Sequence, residues 1–229
     1  MLLGGLQKTT LIDYPGKIAC TVFLTGCNFR CPWCYNPELV FGKHEKITEK
    51  YFFEFLKERK GLLEGVVVCG GEPTINKNLS SFLKKIKKMG YAVKLDTNGS
   101  NPAMLEKLIQ EKLLDYIAMD IKAPLKTSNY GKAAGARVDL AKIKKSIGII
   151  KKSGVDYEFR TTFVPKLLSD KDIVNIAKTI KGSKIYFIQQ FKPGKTISPK
   201  YGKYKPLDQK QLKAIKKECE KYLPTETRD

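Results

Sequence analysis

Short apolar runs alternate along the chain with longer segments in which apolar residues recur every three or four positions. The runs are rich in β-branched and aromatic residues and predict six strands, over residues 17–25, 66–69, 92–96, 116–122, 157–163 and 185–190. The periodic segments predict five helices between them, near residues 47–60, 78–89, 102–113, 139–152 and 170–180. Capping residues support this division, because Thr48 and Asn101 precede two of these segments and Gly154 follows a third.

Strands that alternate with helices form parallel sheets with right-handed crossovers. The pattern therefore predicts an α/β protein with a partial (β/α)6 barrel of the TIM type. No repeat or linker divides the chain, so we expect one domain over residues 1–229, with an N-terminal extension over 1–17 and a C-terminal tail helix within 195–229. Ligands of such folds collect at the carboxyl ends of the strands, and functional residues are expected there.

Lysine dominates the charge of the chain. The 229 residues include 43 basic and 23 acidic side chains, a formal net charge of +20, but only five of the basic residues are arginine. Arginine is the side chain that binds phosphates and bases in two-pronged contacts, so its scarcity argues against a nucleic-acid partner. The lysines lie mainly along predicted helix faces and are interpreted as solvated surface, with steering of an acidic protein partner towards the site as the alternative.

No apolar run approaches the roughly 18 to 20 residues that a membrane span requires. We therefore expect no membrane partner and a cytoplasmic location. A reducing compartment also suits a chain whose cysteines are to act as thiolate ligands.

Three cysteines, Cys27, Cys31 and Cys34, follow the first predicted strand within one short loop. A structural zinc site requires four protein ligands, and no second cysteine pair or histidine pair completes one. A disulfide framework is typical of small secreted domains, which this chain does not resemble. Three thiolates around an iron–sulfur cluster leave one iron open for chemistry, and this is the functional hypothesis.

The other candidate ligands are isolated in the sequence. Cys20 and Cys69 fall within predicted strands and are interpreted as small buried hydrophobic residues, and Cys219 lies in the lysine-rich tail. The single histidine, His44, sits among charged residues and is expected to be exposed in a loop.

Polar and glycine residues follow the later strands, as the fold predicts. They are Gly70, Gly71 and Glu72 after the second strand, Asp96 and Thr97 after the third, Asp120, Ile121 and Lys122 at the fourth, Arg160 on the fifth, and Gln190 and Phe191 at the sixth. Each group also has an ordinary interpretation as turn chemistry or, for Arg160, as a partner of a carboxylate such as Asp120.

The cysteine loop, with an aromatic residue before its last cysteine, resembles that of the radical S-adenosylmethionine (SAM) enzymes. The segments 70–73 and 6–16 resemble the same family, and the latter is similar to the opening of the subgroup that activates glycyl-radical enzymes. In that subgroup the likeness is greatest to activating proteins of anaerobic ribonucleoside-triphosphate reductase and extends to those of pyruvate formate-lyase. It runs from about the first residue to Gly194.

The resemblance implies a [4Fe–4S] cluster on Cys27, Cys31 and Cys34 whose fourth iron is chelated by SAM. Trp33 and Tyr35 match positions that contact SAM, and the backbone of 70–71 would hold its amino group, whereas Glu72 would contact SAM or only orient the loop. Asp96, Thr97, Asp120 and the adjacent Ile121 would lie beside the SAM carboxylate, around a monovalent cation as in some family members, with Lys122 supplying a positive charge. Gln190 and Phe191 replace a histidine that some relatives place near the adenine, and Arg160 would bind SAM or pair with a carboxylate.

The activity implied is reductive cleavage of SAM to a 5′-deoxyadenosyl radical, which would abstract hydrogen from a glycine of an anaerobic ribonucleotide reductase or a related enzyme. The implied partners are that glycyl-radical enzyme and an electron donor such as flavodoxin or ferredoxin. Two alternatives stay open. One is a radical SAM enzyme acting on a small molecule, as in deazapurine or cofactor synthesis, and the other is an RNA-binding module with a structural cluster.

Overall fold

One sheet runs through the structure, a computed structural model that describes residues 1–43, 45 and 47–228. Its strands are β1 (Leu3–Thr10), β2 (Ala19–Leu24), β3 (Gly65–Gly70), β4 (Ala92–Thr97), β5 (Tyr116–Asp120), β6 (Asp156–Phe163), β7 (Tyr186–Gln190) and β8 (Thr225–Arg228). They lie side by side in sequence order. β1 is antiparallel to β2, and every later neighbour pair is parallel.

Helices connect the parallel strands. They are α1 (Pro37–Phe41), α2 (Glu49–Glu58), α3 (Leu79–Lys88), α4 (Pro102–Gln110), α5 (Thr127–Ala134), α6 (Leu140–Lys152), α7 (Asp170–Thr179) and α8 (Gln209–Cys219), with short 3-10 helices at Pro73–Ile75 and Tyr201–Lys203. The sheet order ends at β1 and β8, so the barrel is partial, as predicted. No helix in the described residues has the length and apolar character that crossing a bilayer requires.

The six predicted strands are confirmed as β2 to β7, with ends shifted by one or two residues. Thr48 and Asn101 cap α2 and α4, since the Thr48 hydroxyl accepts the N–H of Tyr51 at 3.1 Å and the Asn101 amide oxygen accepts that of Met104 at 3.3 Å. The pattern did not predict α1, α5, β1 or β8. Residues 3–10 form an edge strand, and the tail helix is followed by a strand that extends the sheet.

The two faces of the strands have different chemistry. Outward residues such as Val66, Val68 and Leu95 are buried with Phe52 and Phe82 of the surrounding helices in one apolar core. Burying an aromatic or aliphatic side chain of this kind contributes about 1.5–3 kcal/mol each. The inward face instead carries ionisable residues, and these surround the cavity described below.

The loop between β1 and β2 closes the amino-terminal end of the barrel. Its Tyr14 is 2% exposed, and the ring centroid lies 6.1 Å from that of Tyr116 on β5. Gly65 begins β3 beside this ring, and a Cβ there would lie 2.9 Å from two ring carbons. With this end filled, the open space of the barrel lies at the carboxyl ends of the strands.

Candidate functional site

A cavity of about 300 Å³ lies at the carboxyl ends of β2 to β7. It is lined by Cys27, Phe29, Cys31, Trp33, Cys34, Tyr35, Asn36, Val40, Cys69, Gly70, Gly71, Glu72, Asp96, Thr97, Asn98, Asp120, Lys122, Arg160, Thr162 and Gln189. Most of the residues selected from the sequence are therefore brought together, as expected for an α/β barrel.

The three cysteines of the loop after β2 all line this cavity. The N–H of Phe29 donates to Cys27 Sγ at 3.3 Å, and the N–H of Cys34 donates to the carbonyl of Cys31 at 2.9 Å. Burial raises the pKa of the Cys27 thiol, and it raises that of Cys31 to about 12 although the charge of Lys122 opposes the shift. The thiolate forms would need a bound cation to stabilise them.

The donor set fits an iron–sulfur cluster better than a single metal ion. Among the described residues, no three Cys, His, Asp or Glu side chains surround a common ion position. Each cysteine of a [4Fe–4S] cluster binds a different iron, so three thiols facing one cavity suffice.

Neighbouring segments fix the path of the cysteine loop. The Arg30 guanidinium donates to the Cys27 carbonyl, and the N–H of Arg30 donates to the carbonyl of Ala134 at 2.8 Å. The Trp33 indole donates to the carbonyl of Ala133 at 3.2 Å. α5, which the sequence did not predict, therefore supports the loop.

The glycines after β3 allow two backbones to touch. The N–H of Gly71 donates to the Leu24 carbonyl at 2.9 Å, and the N–H of Glu72 donates to the Gly26 carbonyl at 2.8 Å. A Cβ on Gly71 would lie 1.9 Å from the Gly26 oxygen, and Gly70 has a φ of +117°. Only glycine fits here, and the contact places this backbone beside the cysteine loop at the cavity wall.

The Glu72 carboxylate is occupied by hydrogen bonds within the protein. One oxygen accepts the N–H of Thr74 at 3.1 Å and the hydroxyls of Thr74 at 2.5 Å and Thr97 at 2.7 Å, and the other accepts the N–H of Asn98 at 2.6 Å. Burial raises the pKa of Glu72, and these donors oppose the shift. Glu72 thus connects the ends of β3 and β4.

A buried ion network lies on the inward face of β4 to β6. Arg160 lies 3.0 Å from Asp96, 3.2 Å from Asp120 and 3.7 Å from Glu158. Arg160 therefore pairs with carboxylates, and its Asp120 partner is the one that the sequence suggested.

The network holds its carboxylates in the charged form. Burial alone would raise the pKa of Asp96, but the charges of Arg160 and of Lys94, 2.6 Å away, outweigh it and hold the pKa at about 2. Arg160 and Lys122 likewise lower the pKa of Asp120 against the effect of burial. Lys122 lies 3.5 Å from Asp120, and its ammonium lies 5.1 Å from the centroid of Trp33.

Three of the predicted site residues do not line the cavity. Gln190 turns away and exchanges hydrogen bonds with the backbone of Leu207, at 2.9 and 3.3 Å. Ile121 is buried and donates its N–H to the Arg160 carbonyl at 2.8 Å. Phe191 is buried beneath Tyr35, with ring centroids 5.6 Å apart.

Several cavity residues were missed. Gln189, not Gln190, faces the cavity from β7, and Thr162 does so from β6. The signal was the twofold alternation of a strand, which places Thr162 on the same face as Arg160. Cys69 lies in a strand as predicted but is only partly buried and lines the cavity, whereas Cys20 is fully buried. His44 lies outside the described residues.

The cavity combines three kinds of chemical group. They are soft thiol ligands, a backbone that a ligand can approach closely, and paired charges that suit the amino and carboxylate groups of a ligand. It has no nucleophile–base pair of the hydrolytic type among the described residues that line it. This combination suits a metal-cluster cofactor with an adjacent zwitterionic ligand.

Comparison with known proteins agrees with this chemistry. A family profile described as "Radical SAM superfamily" matches residues 21–180. A proposed glycyl-radical enzyme activating enzyme of Methanocaldococcus jannaschii is 36% identical over 97% of this chain and 93% of its own length. A pyruvate formate-lyase-activating enzyme of Clostridium pasteurianum is 30% identical over 77% of this chain and 76% of its length. A 7-carboxy-7-deazaguanine synthase of Aquifex aeolicus is 35% identical over 34% of each chain.

The crystal structure of Streptococcus suis SuiB bound to S-adenosylmethionine has the same fold, with a TM-score of 0.69 over 90% of this chain at 16% identity. The match covers 49% of SuiB, so the chain spans about half the length of that protein.

Proposed function

The chain belongs to the radical SAM superfamily of enzymes, and we propose that it is an activating enzyme that installs a glycyl radical on a partner enzyme. Membership implies a [4Fe–4S] cluster and SAM. The observation that carries the proposal is the convergence of the three-cysteine loop, the 70–72 backbone and the charged ends of β4 and β5 on one cavity. The sequence supports the proposal as well, because a relative named as a glycyl-radical enzyme activating enzyme is matched over 93% of that relative's length.

Each part of the cavity has a role in this proposal. Cys27, Cys31 and Cys34 would hold the cluster, which supplies the electron that cleaves bound SAM to methionine and a 5′-deoxyadenosyl radical. The backbone of Gly70 and Gly71 would bind the SAM amino group. These residues would orient the ligand, and no side-chain base is required.

The charged residues would receive the carboxylate end of SAM. Lys122 offers a cation at the cavity wall. A monovalent cation beside that carboxylate would compete with Arg160, Lys94 and Lys122 for the oxygen atoms of Asp96 and Asp120. Arg160 acts as a positioning residue, because its guanidinium is committed to Asp96 and Asp120. Tyr35, stacked on Phe191 at the cavity wall, is one aromatic surface available to the adenine, and Phe29 and Trp33 also line the cavity.

The partner that we propose is an anaerobic ribonucleotide reductase, with an electron carrier such as flavodoxin or ferredoxin as reductant. The likeness of the chain to the glycyl-radical activating subgroup, greatest to the activating proteins of that reductase, supports this choice. The scarcity of arginine argues against the RNA-binding alternative.

The direct test is anaerobic reconstitution followed by reduction, addition of SAM and chromatography of 5′-deoxyadenosine, with and without a candidate glycyl-radical enzyme. We expect nucleoside formation together with a glycyl radical signal on the partner in electron paramagnetic resonance. Cys27→Ala, Cys31→Ala and Cys34→Ala should each abolish cleavage, while the buried Cys219→Ala serves as the matched control. Full activity in any of the first three variants contradicts the ligand assignment.

A second candidate is a radical SAM enzyme that acts on a small molecule. Matches to 7-carboxy-7-deazaguanine synthases favour it, one at 35% identity over 34% of the chain and another at 28% identity over 66% of the chain. Nucleoside formation without a glycyl radical on any candidate partner would support this function instead.

A further inference from the structure

A lysine-rich segment lies against the cysteine loop without entering the cavity. Residues 192–207, here called the basic strap, connect β7 towards α8 and contain five lysines and no acidic residue. None of them lines the cavity. All five lysines are exposed, namely Lys192, Lys195, Lys200, Lys203 and Lys205.

Three hydrogen bonds donated by backbone N–H groups join the strap to the cysteine loop. The N–H of Ser198 donates to the carbonyl of Pro32 at 2.8 Å, and the N–H of Ile197 donates to the carbonyl of Cys34 at 3.2 Å. The N–H of Lys192 donates to the Tyr35 hydroxyl at 2.8 Å. The strap is therefore bonded to the carbonyl of Cys34, a proposed cluster ligand, to the side chain of the next residue, Tyr35, and to Pro32, which follows Cys31.

Aromatic rings give the strap a packed surface between its charges. The rings of Tyr201 and Tyr204 meet edge to face, with centroids 5.3 Å apart. The ammonium groups of Lys200 and Lys166 lie 5.3 Å from the Tyr201 ring and 5.0 Å from the Tyr204 ring. Lys195 pairs with Glu38 of α1, which follows the cysteine loop. A surface of exposed lysines and partly exposed tyrosines suits an acidic protein partner.

The proposed reaction requires such a partner, because each SAM cleaved takes up one electron. The three cysteines outside the loop, Cys20, Cys69 and Cys219, lie on different elements, β2, β3 and α8, and do not form a second three-cysteine loop. The electron must then come from an external carrier. The glycine that gives up its hydrogen must enter the cavity, whereas a carrier only has to approach the cluster from outside.

We propose that the basic strap is the docking surface for an acidic one-electron carrier protein. This inference rests on the proposed function. The reduced carrier gives one electron to the oxidised cluster held by Cys27, Cys31 and Cys34 and leaves in its oxidised form. The lysines attract the carrier, and the hydrogen bonds from Ile197 to Cys34 and from Ser198 to Pro32 hold the strap against the backbone of the cysteine loop.

The test compares two sources of electrons for one reaction. The formation of 5′-deoxyadenosine is measured with reduced flavodoxin, and separately with excess dithionite, which makes reduction fast. The strap variant carries Lys200→Glu, Lys203→Glu and Lys205→Glu. The matched control carries Lys142→Glu, Lys144→Glu and Lys152→Glu, three exposed lysines of α6 with the same change of charge. A milder variant carries Lys200→Gln, Lys203→Gln and Lys205→Gln. It keeps the test valid if the glutamate variant misfolds.

We expect the flavodoxin-driven rate of the strap variant to fall at least about tenfold at low salt, the scale of electrostatic steering, with the dithionite-driven rate unchanged. Salt should slow the flavodoxin-driven rate of the wild type and have little effect on that of the strap variant. The glutamine variant should lie between them, and the α6 variant should behave as the wild type.

Three results would overturn the inference. The first is a strap variant that keeps the wild-type flavodoxin rate, and the second is an α6 variant that loses as much. The third is a strap variant that is reduced normally but no longer forms the glycyl radical, which would assign the strap to the glycyl-radical enzyme. Failure of the wild type to cleave SAM with dithionite would instead contradict the proposed function itself.

Discussion

Asp96 shows how much of this site depends on partners far away in the sequence. Its carboxylate is held by Lys94 on its own strand and by Arg160, 64 residues later. The sequence marked Asp96 as a strand-end carboxylate but could not specify the pairing, because it depends on how β4 and β6 face each other. The cysteines were predictable, since their chemistry is contained in the spacing of one loop.

The low pKa of Asp96 predicts a pH dependence of stability. Its value of about 2 in the folded protein lies below the ordinary 3.8, so the stabilisation is complete above about pH 5 and is lost as the pH falls towards 2. Between pH 5 and pH 3 the wild type should lose about 1 kcal/mol more unfolding free energy than Asp96→Asn. Urea unfolding of protein purified without the cluster measures this difference. Equal losses in both proteins would contradict the ionised pairing.

Glu72 supports a second prediction, on stability at neutral pH. Each of its carboxylate oxygens accepts a backbone N–H, from Thr74 and from Asn98, and a backbone donor cannot turn away. In Glu72→Gln the amide NH2 faces one of these donors, so the unfolding free energy should fall by about 1–3 kcal/mol. The matched control is Glu106→Gln on α4, whose pair with Lys145 is exposed, and its effect should stay within about 0.5 kcal/mol. Chemical denaturation distinguishes the two, and equal effects would contradict a buried acceptor role.

At the scale of elements, the apolar runs along the sequence predicted every strand whose outward face is apolar. They missed the strands with polar faces. β1 has the sequence Leu-Gly-Gly-Leu-Gln-Lys-Thr-Thr and lies at an edge, and β8 has the sequence Thr-Glu-Thr-Arg. Neither resembles an apolar strand, and only pairing with β2 and β7 defines them. Alternation also explains why Gln189 lines the cavity while the neighbouring Gln190 bonds to Leu207.

The contact between the loops after β2 and β3 gives a prediction for an element boundary. Gly71→Ala would place a Cβ 1.9 Å from the Gly26 oxygen, and the two loops must separate to accept it. We expect SAM cleavage to fall at least about tenfold and the unfolding free energy to fall by about 1–3 kcal/mol, the usual cost of overpacking. Gly148→Ala in α6, where a Cβ meets no atom within 4 Å, should instead raise stability by about 0.5–1 kcal/mol. SAM cleavage and thermal unfolding of both variants check this, and a Gly71→Ala protein with normal cleavage would show that the contact is dispensable.

At the scale of the whole molecule, the last strand is connected to the cavity by one chain of charges. Arg228 of β8 makes two hydrogen bonds to the fully buried Glu158, at 2.7 and 2.8 Å, and Tyr116 donates a third at 3.0 Å. Glu158 in turn lies 3.7 Å from Arg160. By satisfying Glu158, Arg228 leaves the Arg160 guanidinium to Asp96 and Asp120 at the cavity.

Arg228→Ala should therefore act on the distant cavity as well as on stability. Removing one partner of a buried ion pair leaves the other charge uncompensated, and the expected loss of unfolding free energy is about 3 kcal/mol. Arg160 is then the nearest cation to Glu158. As its guanidinium turns towards that carboxylate, its ion pairs with Asp96 and Asp120 weaken. We expect the KM for SAM to rise several-fold even in protein that remains folded. Arg228→Ala combined with Glu158→Gln removes both charges and should restore most of the KM, because Arg160 is no longer drawn away. Steady-state kinetics at a temperature where circular dichroism shows both proteins folded separates the two effects, and an unchanged KM in the single variant would show that β8 serves stability alone.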